Sequence, residues 1–132
     1  MTRYLFDTNA VIALLNEVES PLGRRARQHK PADIFMSSIV AHELFYGAFK
    51  SQRALHNVAL VDSLQFEVLE FDKEDARQAG QIRAQLALKG TPIGPYDVLI
   101  AGQAKARKLT LVTGNTDEFK RVEGLSIEDW NN

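Results

Sequence analysis

Short apolar runs alternate with longer stretches of helical character along this chain, and this alternation constrains the fold more than any other feature. The runs lie at Tyr4–Phe6, Ile34–Met36, Glu67–Phe71 and Leu109–Val112, and a last one lies at Leu125–Ile127. Short strands that alternate with helices are typical of α/β proteins with a mostly parallel sheet. We therefore predict an α/β fold in which a twisted, mostly parallel sheet of four to five short strands is flanked by helices.

Capping residues mark where the intervening helices begin. Ser20 followed by Pro21 is typical of an N-cap and a first helical residue, and Gly94 followed by Pro95 repeats this pattern. The segment 72–75 carries an aspartate at each end, as in a capping box. Helices are predicted at about 9–15, 20–29, 38–50, 53–64, 72–88 and 94–108, with a helical turn at 117–120.

The length and composition of the chain limit what it can be. Its 132 residues predict a single domain spanning 1–132. Because it contains no cysteine, it forms no disulfide, and any metal must bind oxygen or histidine ligands. No apolar stretch approaches the roughly 20 residues that span a bilayer, so we expect no membrane association and a cytoplasmic location. The formal net charge of −1 does not by itself indicate a nucleic-acid partner.

Three acidic residues lie beside buried segments rather than on open surface. Asp7 directly follows the first predicted strand, Glu43 lies within a largely apolar helix, and Asp97 lies in the first turn of another helix. Each has an ordinary explanation taken alone. Asp7 can be an N-cap, Glu43 can pair with Lys50, and Asp97 can complement the helix dipole.

Taken together, the three carboxylates indicate a metal site. If they converge at about 5 Å, each pair repels by roughly 3 kcal/mol at an effective dielectric near 20. Such a cluster either takes up protons or binds a cation. Oxygen ligands without cysteine favour Mg²⁺ or Mn²⁺ over zinc. Asn115 and Glu118 follow the Leu109–Val112 strand, at the sheet edge where ligands bind in α/β proteins.

Four segments identify a family resemblance that covers essentially the whole chain. They read YLFDTNAVIALL, SSIVAHELFYGA, GTPIGPYDVLIAGQA and LVTGNTDEF, in that order. In this arrangement they resemble PIN-domain proteins, and more closely the VapC-type toxins of bacterial toxin–antitoxin pairs. The KGTPIGPYD segment and the closing IEDW resemble the subgroup found in enteric bacteria. The resemblance implies a PIN-like fold.

The resemblance also assigns roles to individual residues. Asp7, Glu43 and Asp97 match the three acidic metal-ligand positions. Glu118 matches a fourth acidic position, where many relatives have aspartate, so its role is either direct binding, binding through water, or binding of a second metal. Three polar residues match positions that orient the ligands: Thr8, Asn9 and Asn115.

The activity implied is that of a Mg²⁺-dependent ribonuclease, with Mn²⁺ as a substitute, that cleaves structured RNA. Some members of the family cleave tRNA in the anticodon stem-loop, and the enteric subgroup is associated with initiator tRNA. A metal-activated water would cut the phosphodiester and leave a 5′-phosphate and a 3′-hydroxyl. The implied partners are a second copy of the chain and an inhibitory VapB-type antitoxin, through which promoter DNA is bound.

Two surfaces are candidates for contact with these partners. Three basic residues are predicted to contact the RNA backbone: Arg24, Arg25 and Arg27. Four apolar residues are predicted to line the antitoxin groove: Leu14, Leu15, Phe45 and Phe49. A solvated helix face and simple core packing are the ordinary alternatives for the two sets.

Two other functions compete with the ribonuclease hypothesis. The segment DTNAV also fits the opening motif of haloacid-dehalogenase-like phosphatases, but the chain is short for that fold and contains no Asp-Asp pair. A binding module with a decayed metal site is the non-enzymatic alternative. The presence of Asp7, Glu43 and Asp97 argues against it, whereas Glu118 in place of the commoner aspartate keeps it open.

Overall fold

The computed structural model describes residues 2–17 and 19–131, in which five strands and seven α-helices are found. The strands are β1 (Tyr4–Phe6), β2 (Ile34–Ser37), β3 (Glu67–Leu69), β4 (Thr110–Val112) and β5 (Ile127–Glu128). The helices are α1 (Thr8–Asn16), α2 (Pro21–Ala26), α3 (Ser38–Lys50), α4 (Ala54–Asp62), α5 (Lys73–Leu88), α6 (Pro95–Ala106) and α7 (Thr116–Phe119). None of the helices in these two ranges is long and apolar enough to cross a membrane.

The five strands form one parallel sheet in the order β3-β2-β1-β4-β5. The central strand β1 pairs with β2 and β4, and Phe6 lies opposite both Met36 and Val112. The chain fills one side of β1 with β2 and β3, then crosses to the other side for β4 and β5. The predicted α/β fold is confirmed, and this reversal creates a topological switch point beyond the carboxyl ends of β1 and β4.

Several elements end earlier than the sequence predicted, and α6, α2 and β3 differ for visible reasons. Helix α6 stops at Ala106 because Lys108 adopts a left-handed conformation with φ 57°. The N–H of Leu109 then donates to the carbonyl of Ala104. Leu109 therefore belongs to the C-terminal cap of α6 instead of beginning β4. Helix α2 stops at Ala26, where short turns replace the last predicted helical residues. Strand β3 is an exposed edge strand that ends at Leu69.

The last strand begins two residues later and ends one residue later than predicted, and Trp130 explains the shift. Trp130 is fully buried and packs edge-on against Tyr4 and Phe6, with ring centroids 4.8 and 5.4 Å away. It also stacks on His29 at 4.9 Å. These contacts draw the terminal segment across the sheet, so β5 forms at Ile127–Glu128 rather than at Leu125–Ile127.

Close packing between α5 and α6 fixes the helix that carries Asp97. A Cβ atom added to Gly102 of α6 would come within 2.6 Å of the Ala79 backbone in α5. Beside this contact, the buried carboxylate of Asp75 accepts hydrogen bonds from Gln103 and Arg107 at 2.9 and 3.1 Å. The position of α6, and therefore of its N-terminal turn, is determined by helix packing as well as by the sheet.

Candidate active site

Asp7 is the most deeply buried acidic group at the switch point, with 4% of its surface exposed. Its N–H donates to the carbonyl of Val112, which ties the end of β1 to the end of β4. Its Oδ1 accepts from the N–H of Ala10 at 2.8 Å, so Asp7 is the N-cap of α1. The ordinary explanation for this residue is therefore correct, but capping occupies Oδ1 alone.

The electrostatic surroundings of Asp7 favour its neutral form. Burial is the main cause of its raised pKa, and the hydrogen bonds from Thr113 and Ala10 oppose the rise. The negative charges of Glu43 and Asp129 add to it. A carboxyl group that is buried beside other carboxylates is stabilised in its ionised form by a cation.

Glu43 lies half-buried on α3 and is held by a residue from α1. The hydroxyl of Thr8 donates to its Oε1 at 2.8 Å. One turn further along α3 lies Gly47, where an added Cβ would meet no atom within 4 Å. The missing side chain therefore leaves open space beside the carboxylate, as expected from a glycine inside a helix.

Asp97 and Glu118 form a coupled acidic pair. Burial, together with the charge and hydrogen bond of Glu118, raises the pKa of Asp97 to about 7, and the charges of Asp7 and Glu43 add to this. The pKa of Glu118 is lowered, mainly because the N–H of Gly94 donates to its Oε1 at 2.7 Å. The proton shared by the pair therefore resides on Asp97.

The structure thus brings the four acidic residues predicted to form the site to one edge of the sheet. The charges of the other three raise the pKa of Asp97: Asp7, Glu43 and Glu118. Within residues 2–17 and 19–131, no three acidic or histidine side chains lie close enough together to form a complete metal site as they stand. The donors are nevertheless all carboxylate oxygens, which is the ligand chemistry that Mg²⁺ and Mn²⁺ prefer. The donor set therefore fits a hard divalent cation.

The polar residues expected to orient the ligands differ in what they contact. Thr8 holds Glu43, and the Asn115 amide donates to Oε2 of Glu118 at 2.5 Å. Asn9 is exposed in the first turn of α1, whereas the Asp7 carboxylate is held by Thr113 and Ala10. The structure therefore gives Thr8 and Asn115 an orienting contact but offers none between Asn9 and Asp7 among the residues it describes.

Two residues of the site were missed by sequence reasoning. Thr113 is 1% exposed; its hydroxyl bonds to Asp7 and accepts from the N–H of Asn115 at 2.9 Å. Asp129 adds negative charge near Asp7. The signal for Asp129 was its position directly before Trp130, whose burial carries the segment to this edge. Thr113 lies in the LVTGNTDEF segment that carries the family resemblance, but no role was assigned to it there.

The arginines predicted to bind RNA lie in or directly after α2 and contact the protein itself: Arg24, Arg25 and Arg27. Arg25 pairs with Glu128 at 3.0 Å and lies over the Trp130 ring at 5.0 Å. Arg24 donates to the carbonyl of Glu19, and Arg27 pairs with the carboxylate of the same residue. Arg25 therefore supports the packing of Trp130, whatever its contribution to RNA binding.

An open groove of about 240 Å³ runs between α1, α3 and α4 and has Glu43 at its edge. Of the four residues predicted to line an antitoxin groove, Leu15 lies in it. Leu14 borders a different cavity, beside Phe66. Phe45 packs partly against the core, and Phe49 is 65% exposed. The remaining apolar lining consists of residues that the sequence did not single out: Ile12, Leu44, Ala48, Leu60 and Val61.

Comparisons with known proteins cover nearly the whole chain. A family model described as PIN domain matches residues 4–125. The chain is 42% identical to the tRNA(fMet)-specific endonuclease VapC of Salmonella typhimurium, covering 98% of this chain and 99% of that protein. The crystal structure of DNA-bound VapBC from the same organism aligns over 98% and 99% with a TM-score of 0.93. VapBC2 of Rickettsia felis, bound to a promoter DNA fragment, aligns equally far at 33% identity and a TM-score of 0.91.

Proposed function

This chain belongs to the PIN-domain family, and within it to the VapC ribonuclease toxins, and from that premise we propose that it cleaves initiator tRNA. The observation that carries this proposal is the meeting of Asp7, Glu43, Asp97 and Glu118 beyond β1 and β4. The relative from Salmonella typhimurium is named for the same substrate. Family membership excludes the haloacid-dehalogenase-like interpretation.

VapC nucleases generally depend on a divalent metal, and we propose Mg²⁺, with Mn²⁺ as a substitute, for this chain. Asp7, Glu43 and Asp97 are the residues that would hold it. The N–H of Ala10 fixes the Asp7 carboxylate through Oδ1, and the hydroxyl of Thr8 fixes that of Glu43 through Oε1, so both side chains would be held in place for the cation. When bound, the ion supplies acidification of a water molecule and stabilisation of charge on the phosphate.

Glu118 is proposed to act on Asp97 and on water rather than as a primary ligand. Both of its carboxylate oxygens already accept a hydrogen bond, from Gly94 and Asn115. These contacts lower the pKa of Glu118 and keep it ionised, so the proton that Asp97 releases when a cation binds passes to solvent while Glu118 continues to position Asp97. The overall reaction adds water across the phosphodiester and yields a 5′-phosphate and a 3′-hydroxyl, without using the 2′-hydroxyl as nucleophile.

The partners proposed for this chain follow from its groove and its relatives. Related toxins are found in VapBC complexes, two of them with DNA. We propose that a VapB-type antitoxin inhibits the nuclease by laying an apolar segment along the groove between α1, α3 and α4, with Glu43 within its reach. We further propose that the chain acts as one domain in a cytoplasmic homodimer and meets promoter DNA only through the antitoxin.

The test is cleavage of initiator tRNA by the purified protein. Mg²⁺ is expected to support cutting in the anticodon stem-loop, and a chelator is expected to stop it. Elongator methionine tRNA serves as the matched control substrate, and mapping of both RNA ends identifies the product chemistry. Equal cutting of both tRNAs would reject the substrate, a 2′,3′-cyclic phosphate would reject the chemistry, and full activity with chelator would reject the metal.

A further inference from the structure

Two exposed aromatic side chains lie on neighbouring helices, and each is next in sequence to a carboxylate of the acidic site. His42 immediately precedes Glu43 on α3, and Tyr96 immediately precedes Asp97 in the first turn of α6. Their ring centroids are 5.6 Å apart and the rings are inclined by 55°. Tyr96 is 44% exposed, and His42 is exposed as well. We call this pair the aromatic ledge.

Core packing does not explain the aromatic ledge. Both residues remain partly in solvent, whereas the neighbours of Tyr96 on the inner side of α6, such as Val98 and Ile100, are buried. Single exposed aromatic side chains are common on protein surfaces, but these two rings contact each other across two helices. Each also belongs to a residue next in sequence to a carboxylate of the proposed cleavage site, and this position restricts which ligand the pair could bind.

Stacking on an unpaired base suits the aromatic ledge better than docking of a protein does. Proteins recognise RNA loops largely by stacking splayed-out bases on aromatic side chains. The ledge consists of two rings with polar atoms, a phenol and an imidazole, and neither residue lines the apolar groove between α1, α3 and α4. A base held there would place its own backbone beside Glu43 and Asp97.

We propose, building on the ribonuclease function proposed above, that the aromatic ledge stacks an unpaired base next to the phosphodiester that is cut. The ledge then selects loops over continuous helices, because a base that is paired and stacked within a helix has no free face for an aromatic side chain. It also sets the cleavage position, since the stacked nucleotide fixes the register of the RNA relative to the carboxylates. His42 and Tyr96 act on binding and register rather than on bond breaking.

The first experiment measures RNA binding in the presence of a chelator, so that no cleavage occurs. Fluorescence anisotropy with labelled initiator tRNA is expected to show about 5- to 100-fold weaker binding for Tyr96→Leu, and a smaller loss for His42→Leu. Tyr96→Phe keeps the ring and should bind like the wild type. Tyr46→Leu is the matched control, because Tyr46 is 62% exposed on α3, one turn beyond His42. Unchanged binding by Tyr96→Leu would overturn the proposal.

The second experiment identifies the stacked base. Initiator tRNA carrying a single abasic nucleotide at each position flanking the mapped cut is tested against the wild type and Tyr96→Leu. One abasic position should weaken wild-type binding, and that loss should vanish in Tyr96→Leu, because the two changes remove the same contact. Fully additive losses at every position would overturn the proposal.

Other occupants of the aromatic ledge give different results. If the ledge is an interface with a second copy or an antitoxin, Tyr96→Leu changes the oligomeric state or antitoxin affinity while RNA binding stays at the wild-type value, and the proposal fails. Failure of the underlying function is separate from this. If the proposed ribonuclease function is wrong, the wild type itself cuts no initiator tRNA with Mg²⁺. If only the role of the aromatic ledge is wrong, the wild type and Tyr96→Leu cut initiator tRNA equally well.

Discussion

Asp97 and Glu118 share one hydrogen bond between their carboxyl groups, although they lie on different helices, α6 and α7. The contact divides the roles of the pair. Backbone and amide donors from Gly94 and Asn115 stabilise the charge of Glu118. Asp97, which is crowded by the other carboxylates, retains the proton. Metal binding must therefore displace a proton from Asp97, and this makes the site sensitive to pH.

Asp97→Asn should remove a pH dependence from the stability of the metal-free protein. The pKa of Asp97 is about 7 in the folded state against 3.8 in an unfolded chain. The folded state therefore binds more protons between these values, and stability is full below pH 4 and falls as pH rises through 7. The lowered pKa of Glu118 acts only at more acidic pH, below the ordinary glutamate pKa of 4.5.

Thermal melts between pH 5 and pH 8 in a chelator measure this effect. The melting temperature of the wild type should fall over that range, and Asp97→Asn should flatten the curve. Asp117→Asn is the matched control, because its side chain is 91% exposed on α7. The same slope in wild type and Asp97→Asn would contradict the assignment of the proton.

Asp7→Asn should abolish cleavage while leaving the fold intact. Asparagine caps helices as well as aspartate does, so α1 keeps its N-cap, but the charge that would bind the cation is lost. We expect a fall in tRNA cleavage of more than about 100-fold. Mg²⁺ should raise the melting temperature of the wild type, because a ligand that binds only the folded state stabilises it, and it should not raise that of Asp7→Asn.

The control for this substitution is Asp62→Asn, which changes an exposed aspartate in α4. It should retain wild-type cleavage and the wild-type response to Mg²⁺. Substantial cleavage by Asp7→Asn at saturating Mg²⁺ would show that Asp7 caps α1 and does no more.

Thr8→Val should weaken metal binding through the position of Glu43. Valine has nearly the shape of threonine but cannot donate to Oε1 of Glu43, which Thr8 contacts at 2.8 Å. Loss of such a supporting hydrogen bond typically reduces metal affinity or activity about 10- to 100-fold. Calorimetric titration with Mn²⁺ measures this directly. Thr8→Ser keeps the hydroxyl and should restore most of the affinity, and equal affinities for all three proteins would disprove the role.

Gly102→Ala should destabilise the protein because α5 and α6 touch at this residue. Its new Cβ would lie 2.6 Å from the backbone of Ala79, and overpacking of this kind typically costs about 1–3 kcal/mol. Gly80→Ala in α5 meets nothing within 4 Å, so the better helix propensity of alanine should stabilise it by about 1 kcal/mol. Urea unfolding of both variants checks the contrast, and equal stabilities would contradict the packing argument.

Sequence reasoning succeeded where a residue's role depends on its own element. Asp7 follows β1 because a buried strand ends there, and Gly94 with Pro95 begins α6 because of local backbone preferences. It did not anticipate Thr113 or Asp129, because their contribution depends on which strands are neighbours. The shift of β5 has the same origin, since Trp130 is buried by residues from the opposite end of the chain.

Sequence reasoning also predicted the end of α5 but not the end of α6. Lys89–Gly90 contains a glycine with positive φ that ends α5 as expected. At the end of α6 the same left-handed position is filled by Lys108, a residue that rarely adopts it. The structure explains this conformation of Lys108: it lets the N–H of Leu109 donate to the carbonyl of Ala104, which ends α6 immediately before β4.

The placement of β1 between β2 and β4 also determines when the active site forms during folding. Residues 4–6 must find partners at 34–36 and at 110–112, and the second pairing closes a loop that includes most of the polypeptide. Distant pairings of this kind form late and slowly. A half-folded chain thus holds its carboxylates apart and is harmless, and toxicity in a cell should follow the fraction of molecules that have completed folding.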